Sequence, residues 1–182
     1  MKRFVQTWGK CIGVVSLLVL VLAVFVWRTS RPVTLHAEEL TRAVERETYP
    51  GTQLKLDITA YQMTMTVENH SDITLESGAA VDQNKEIFEI PWLEVLLDGV
   101  WYSVPHETYA SAGVGLELAP GEAVSMRVVL SPYGKLPDGQ YRISFGYWPL
   151  DPGEDRLPAQ ERPFYAVYAR FDMEKGRYTP SW

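Results

Sequence analysis

Cysteine is almost missing from this chain of 182 residues: Cys11 is the only one. Everything after it must therefore hold together without disulfides or thiolate-bound metal, on the strength of a hydrophobic core. Histidine is scarce too. His36, His70 and His106 stand alone, with no pair at metal-ligand spacing, so no metal site is expected. The chain also lacks a glycine-rich phosphate loop, a serine on a nucleophile elbow, and any cysteine near a histidine. These gaps remove the common signatures of nucleotide chemistry and covalent catalysis, and no cofactor is expected.

Charge is missing from one stretch and acid from another. Cys11 to Trp27 holds no charged residue, with Lys2, Arg3 and Lys10 before it and Arg28 and Arg31 after it. At ~1.5 Å per residue such a run reaches the lower end of what spans a bilayer, with Lys10 and Arg28 able to snorkel. An uncleaved anchor is favoured over a cleaved signal, because Val24-Phe-Val-Trp-Arg28 has no small-residue cleavage site and Leu35-His-Ala37 is a poor one. Cys11 opens the apolar run instead of closing it, so it reads as a small apolar residue of the span, not as a lipidation site. The basic excess on the N-terminal side places that end in the cytoplasm and the rest outside. If the segment is cleaved, the product is secreted.

All acidic residues fall after Arg31, so residues 32–182 carry 12 basic against 23 acidic side chains, a net of −11. Such a surface is repelled by phosphate backbones, which excludes nucleic acid as the expected partner. The length suits one domain. The expected organisation is a cytoplasmic N-terminus over 1–10, an anchor or signal over 11–27, a stalk over 28–51, a β domain over 52–172 and a tail over 173–182. Within the stalk, Leu40, Ala43, Val44 and Glu47 fall at helical spacing and Glu38 precedes Arg42 by one turn. This predicts a short solvated helix stopped at Tyr49-Pro50-Gly51.

From Gln53 the period changes to two. Leu54, Leu56, Ile58 and Ala60 alternate with polar residues, and so do Met63, Met65 and Val67. Leu93–Leu97 and Val100–Val104 flank Asp98-Gly99, a strong hairpin signal. Further strands are expected over Val124–Leu130, Gln140–Tyr147 and Phe164–Phe171. About seven strands with turn residues between them and no amphipathic helix argue for a β-sandwich.

Four segments carry a resemblance: Val67-Glu-Asn-His-Ser71, Asp98-Gly-Val-Trp-Tyr102 with Val104-Pro105, Leu118-Ala-Pro-Gly-Glu122, and Tyr133-Gly-Lys-Leu-Pro-Asp-Gly-Gln-Tyr-Arg-Ile143. In this order and spacing, residues 52–172 resemble the bacterial immunoglobulin-like domain family, found in envelope and membrane-attached proteins of Gram-positive bacteria. The resemblance implies an immunoglobulin-like sandwich in an extracytoplasmic setting and no catalytic residues. Asp138, Gly139 and Tyr141 read as a structural corner, in which the Tyr141 ring packs at the sandwich end and its hydroxyl returns to upstream backbone. With no cysteine pair, Ile143 is expected to pack against Met65 or Val67. Trp101 is read as a core tryptophan or as an exposed binding aromatic.

The expected role is non-catalytic binding or support at the cell envelope, with an envelope protein or glycan as partner. The alternative is a sensor or accessory subunit of a larger membrane complex. A remote one is a hydrolase using paired carboxylates among Glu86, Glu89 and Glu94, which a charged strand face explains equally well. Partner contact is assigned to Tyr147, Trp148 and Leu150, at the head of an expected loop through Pro163 that places apolar surface beside Asp151, Glu154 and Asp155. Trp92 and Trp182 are further candidate aromatics. Asn69-His-Ser71 fits a glycosylation sequon, but an Asn and Ser making a turn is the stronger reading.

Overall fold

A computed structural model of the chain describes residues 16–17, 19–24, 34–59, 62–107, 112–150 and 161–180. The chain divides into two compact units, Met1–Thr34 and Leu35–Trp182. In the first, the described residues 16–17 and 19–24 are helical, and Leu17, Val19, Leu20, Val21, Leu22 and Val24 are all exposed. Among the described residues no helix is long and apolar enough to cross a membrane. Most of the apolar run from Cys11 to Trp27 lies outside them.

The second unit is all-β. Its strands are β1 (Thr41–Arg42), β2 (Thr52–Ile58), β3 (Met63–Asn69), β4 (Thr74–Val81), β5 (Ile87–Glu89), β6 (Trp92–Leu97), β7 (Val100–Ser103), β8 (Ala112–Leu118), β9 (Ala123–Val128), β10 (Gly139–Leu150), β11 (Tyr165–Glu174) and β12 (Arg177–Pro180). One sheet runs β1-β7-β6-β10-β11-β12 and the other runs β2-β3-β9-β5-β4-β8. All pairs are antiparallel except β5 with β9. The two sheets share one core. Met63, Met65, Val67, Leu75 and Met126 come from one, and Leu93, Val95, Tyr141, Ile143, Val167 and Phe171 from the other. This arrangement is consistent with an immunoglobulin-like sandwich.

Alternation explains the clearest strands. In β3 every second side chain, Met63, Met65, Val67 and Asn69, is buried, while its polar neighbours are only partly covered. The β6–β7 hairpin turns on Asp98 (φ 50°) and Gly99 (φ 79°), the left-handed pair that matches the twist of the flanking strands. Asn69 sits wholly buried at the end of β3, where its amide donates to the carbonyls of Ile73 and Leu118 at 2.8 Å each and its oxygen accepts from Ser71 N–H at 3.0 Å. Its nitrogen is committed to the turn, as the structural reading of the sequon requires.

The structure differs from the sequence expectation in three places. Among the described residues there are twelve strands instead of about seven, because β4, β5, β8, β12 and the two-residue β1 join those foreseen. The stalk helix is absent. Among the described stalk residues only Ala37–Glu39 forms a 3-10 turn, and the chain then runs extended along the sheet. Ala43 N–H donates to Trp101 O at 2.9 Å, Arg46 N–H to the Tyr168 hydroxyl at 3.0 Å, and Ala166 N–H to Glu47 O at 3.0 Å. Backbone pairing and burial against β7 and β11 override the weak helical spacing of residues 40–47. Third, β10 continues through Leu150 instead of opening a loop at Tyr147, and the tail contributes β12.

β10 is the strand that belongs to both sheets. Tyr141–Ser144 pair with β6, and Trp148–Leu150 pair with Thr74–Glu76 of β4. Since β8 occupies one side of β4 from Leu75 to Val81, β10 and β5 must share the other side. β10 pairs there up to Glu76 and β5 begins at Ala80. Ser77, Gly78 and Ala79 pair with β8 on one side, and on the other they face a fork, with no strand partner there among the described residues.

Candidate functional site

The fork opens a cleft. Its inner part has a volume of about 170 Å³ and is lined by Ser77, Gly78, Glu89, Trp92, Ser144 and Trp148 together with Phe145, Gly146 and Phe164. An outer part of about 510 Å³ continues over Ala79, Ala80 and Gly113–Gly115, sharing Glu89 and Trp148. Ser77 Oγ bridges the fork by donating to Gly146 O at 2.7 Å.

Three aromatic rings crowd this cleft. Phe164 lies 4.7 Å from Trp148 and 5.6 Å from Trp92, centroid to centroid. Trp92 is 48% exposed, and Trp148 and Phe164 are half-buried. Gly146 allows this packing, for a Cβ there would come within 2.3 Å of the Phe164 ring. Two guanidinium groups lie over the same rings: Arg46 is 4.7 Å from Phe164 and 5.6 Å from Trp92, and Arg162 is 6.0 Å from Trp148. Arg162 is also tied to Glu76 at 2.8 Å.

Glu89, the last residue of β5, supplies the charge. Its backbone is fixed by Val129 N–H donating to Glu89 O at 2.9 Å, but its carboxylate makes no hydrogen bond or ion pair among the described residues. Burial pushes its pKa up to about 7. Ser144, 3% exposed, has a hydroxyl with no hydrogen-bond partner among the described residues. The wall from Glu89 to Leu93 is held by Tyr133, whose hydroxyl donates to Pro91 O at 2.6 Å and accepts from Leu93 N–H at 3.3 Å. Burial raises the Tyr133 phenol to about 12, so it remains a neutral donor.

Of the residues assigned to partner contact, Trp148 lines the cleft. Tyr147 does not. Alternation along β10 turns it inward, where it is fully buried and its hydroxyl accepts from Tyr49 N–H at 3.0 Å. Leu150 is a partly buried strand residue paired with Thr74. Residues 151–160 of the expected loop, and Trp182, lie outside the described residues. Trp92 was a candidate; Glu89 had been weighed only as one of a carboxylate pair. Phe164, Ser144 and Gly146 were missed, because only the fork brings them together.

The corner residues take structural positions. Tyr141 is fully buried, stacks on Phe171 at 5.6 Å and donates its hydroxyl to Pro137 O, four residues upstream, at 2.8 Å. Asp138 accepts from Lys175 N–H at 2.8 Å and so fastens the β11–β12 turn. Gly139 opens β10 without left-handed backbone.

The carboxylates suggested for hydrolysis are not brought together. Glu86 is exposed, and Glu94 is buried against Arg142. Arg142, 4% exposed, gives its Nε–H to Glu94 and a two-pronged contact of 3.0 and 2.7 Å to Glu45, between the rings of Trp101 at 4.5 Å and Tyr168 at 4.4 Å. Burial raises the Glu94 pKa against the opposing pull of Arg142, while the hydrogen bond from Arg142 lowers that of Glu45. Trp101 therefore packs on a guanidinium. His70 bonds Glu68 at 2.9 Å and His106 packs on Tyr133, and among the described residues no group of His, Cys, Asp and Glu side chains could hold a metal ion.

Comparison with curated proteins and with solved structures returns no match. A family model described as bacterial Ig-like domain matches residues 37–157, which begin at the 3-10 turn before β1 and take in the cleft residues other than Phe164. That span covers most of the chain and includes the corner at Tyr141, so this chain belongs to the bacterial Ig-like domain family.

Proposed function

We propose that this chain is a membrane-anchored, extracytoplasmic immunoglobulin-like module of the cell envelope that binds a partner through the cleft at the strand fork and catalyses no reaction. The cleft carries this reading. Half-exposed aromatic rings beside a carboxylate with no partner among the described residues are costly to leave open and are the composition of a recognition site. Glycoside hydrolysis by carboxylates needs two of them across the substrate, and Glu89 is the only carboxylate lining the cleft among the described residues. The anchor and the orientation rest on the uncharged run from Cys11 to Trp27 and its flanking basic residues.

Crosslinking in native membranes tests the binding role. A photoreactive residue in place of Trp92 should capture a discrete partner, and Trp148→Ala should reduce that capture at least several-fold without loss of the folded domain. Equal capture by the parent and Trp148→Ala chains moves the contact elsewhere. Protease added to spheroplasts should remove the β domain and spare the N-terminus; full protection of the β domain overturns the topology.

A further inference from the structure

The chemistry of the cleft narrows what it can hold. A half-buried carboxylate without a counter-charge loses hydration and gains nothing in return, so an incoming cation would be strongly favoured. Ser144 is a second unsatisfied group, for its hydroxyl is 3% exposed, lines the inner cleft and has no partner among the described residues, and its oxygen can accept a hydrogen bond from a bound cation. Aromatic faces attract cations as well, and the positions of Arg46 over Phe164 and Arg162 over Trp148 show these rings already doing so.

Size and shape refine the choice. The inner part, about 170 Å³, is close to the ~150 Å³ that accepts one benzene-sized group. Both ends of the fork are closed by ladder pairs, Trp148 with Glu76 on one side and Phe88 with Ala80 on the other. An added strand cannot fit in so short a gap, whereas a group on a narrow stem can enter end-on. Arg142 illustrates what a buried guanidinium requires in this same domain, namely two carboxylates and two flanking rings. One carboxylate and one hydroxyl suit the compact charge of an ammonium better. The net charge of −11 over residues 32–182 adds long-range attraction for a cation.

We infer that the cleft binds a primary alkylammonium group, with Glu89 as counter-ion, Ser144 as hydrogen-bond acceptor, and Trp92, Trp148 and Phe164 enclosing the alkyl stem. This inference rests on the reading of the cleft as the binding site.

The test is a titration of the full-length chain in detergent micelles, followed by tryptophan fluorescence. The probes are N-acetyl-lysine amide, cadaverine and, as the uncharged isostere, N-acetyl-norleucine amide. Saturable changes are expected with at least one amine, with binding about tenfold or more weaker for the norleucine compound and for Glu89→Gln. Response to the lysine amide alone identifies a side chain of a partner protein as the source, and response to cadaverine as well identifies amines in general; either supports the inference. Equal binding of the norleucine compound, no amine binding, or Glu89→Gln binding as the parent does overturns it. If Trp148→Ala abolishes partner capture in membranes while Glu89→Gln leaves both capture and amine titration unchanged, the cleft stands as the binding site and the ammonium chemistry falls.

Discussion

Glu89 and Glu94 are five residues apart in sequence, on consecutive strands, and both are withdrawn from water, yet their surroundings are opposite. Glu94 meets Arg142, which in turn grips Glu45 and lies between Trp101 and Tyr168. Every charge there has a partner, and the cluster joins residues 43–48 to the sheet. Glu89 meets rings and small residues at the fork and has no ion-pair partner among the described residues. A paired buried carboxylate is part of the architecture, whereas an unpaired one stores a penalty that a ligand can relieve. The difference comes from topology. Glu94 lies where β6 pairs with β10, directly opposite Arg142, and Glu89 lies where the ladder has parted.

Breaking the paired side should have the largest effect. Arg142→Ala leaves Glu94 buried without a counter-charge and removes the plate between two rings, so a loss of about 3–5 kcal/mol is expected in denaturant melts. A loss below 1 kcal/mol would mean that the cluster is solvated and that the contrast with Glu89 is overstated.

The unpaired side should respond in the opposite direction, and only at higher pH. The Glu89 pKa is raised to about 7 in the fold against 4.5 in the unfolded chain. Below pH 4.5 both states are protonated and its contribution to stability is fully present. It is lost as pH rises from 4.5 through 7, because the unfolded chain ionises freely while the native cleft resists charge. Glu89→Gln should therefore match the parent near pH 4 and exceed it by about 2 kcal/mol at pH 8, a figure reduced for partial solvent access. Melts across this range that stay parallel would show that Glu89 has a counter-charge.

Tyr141→Phe calibrates the comparison with a neutral bond. It removes the hydroxyl from Pro137 O while keeping the ring on Phe171, and should cost about 1 kcal/mol, well below Arg142→Ala. An equal cost would show that charge has little to do with the Arg142 effect.

The strands that sequence revealed are those where packing and local pattern agree. β2, β3 and the Asp98-Gly99 hairpin have clean alternation or obligatory turn residues, and Tyr141 announces itself by its distance from Asp138-Gly139. β4 and β8 escaped because Gly78, Ala79 and Ala80 in one and Gly113 and Gly115 in the other blur alternation with residues of poor strand propensity. Those same small residues floor the cleft. Residues 40–47 misled, since their spacing is helical and their backbone partners, Trp101 and Ala166, lie far along the chain. Trp148 lines the cleft and Tyr147 is buried, where a loop was expected, because β10 continues and alternation buries every other side chain. The one available sign of Glu89 was an acid within the apolar run Phe88 to Trp92. What sits across from it depends on a strand more than fifty residues later.

The extended segment before β2 also sets an order of events. Arg46 N–H bonds to the Tyr168 hydroxyl and Thr48 Oγ1 to Ala166 O, at 2.7 Å for the latter, across separations of 122 and 118 residues. Synthesis at about 5–20 residues per second therefore leaves the first part of this domain waiting roughly ten seconds for its partner strand. During that interval Arg46 and Thr48 have no place to bond, and β10 stands without its β11 neighbour. The seam between the earliest and the latest residues closes last, so a ribosome stalled before Ala166 should hold a chain that a chaperone or protease can still grasp.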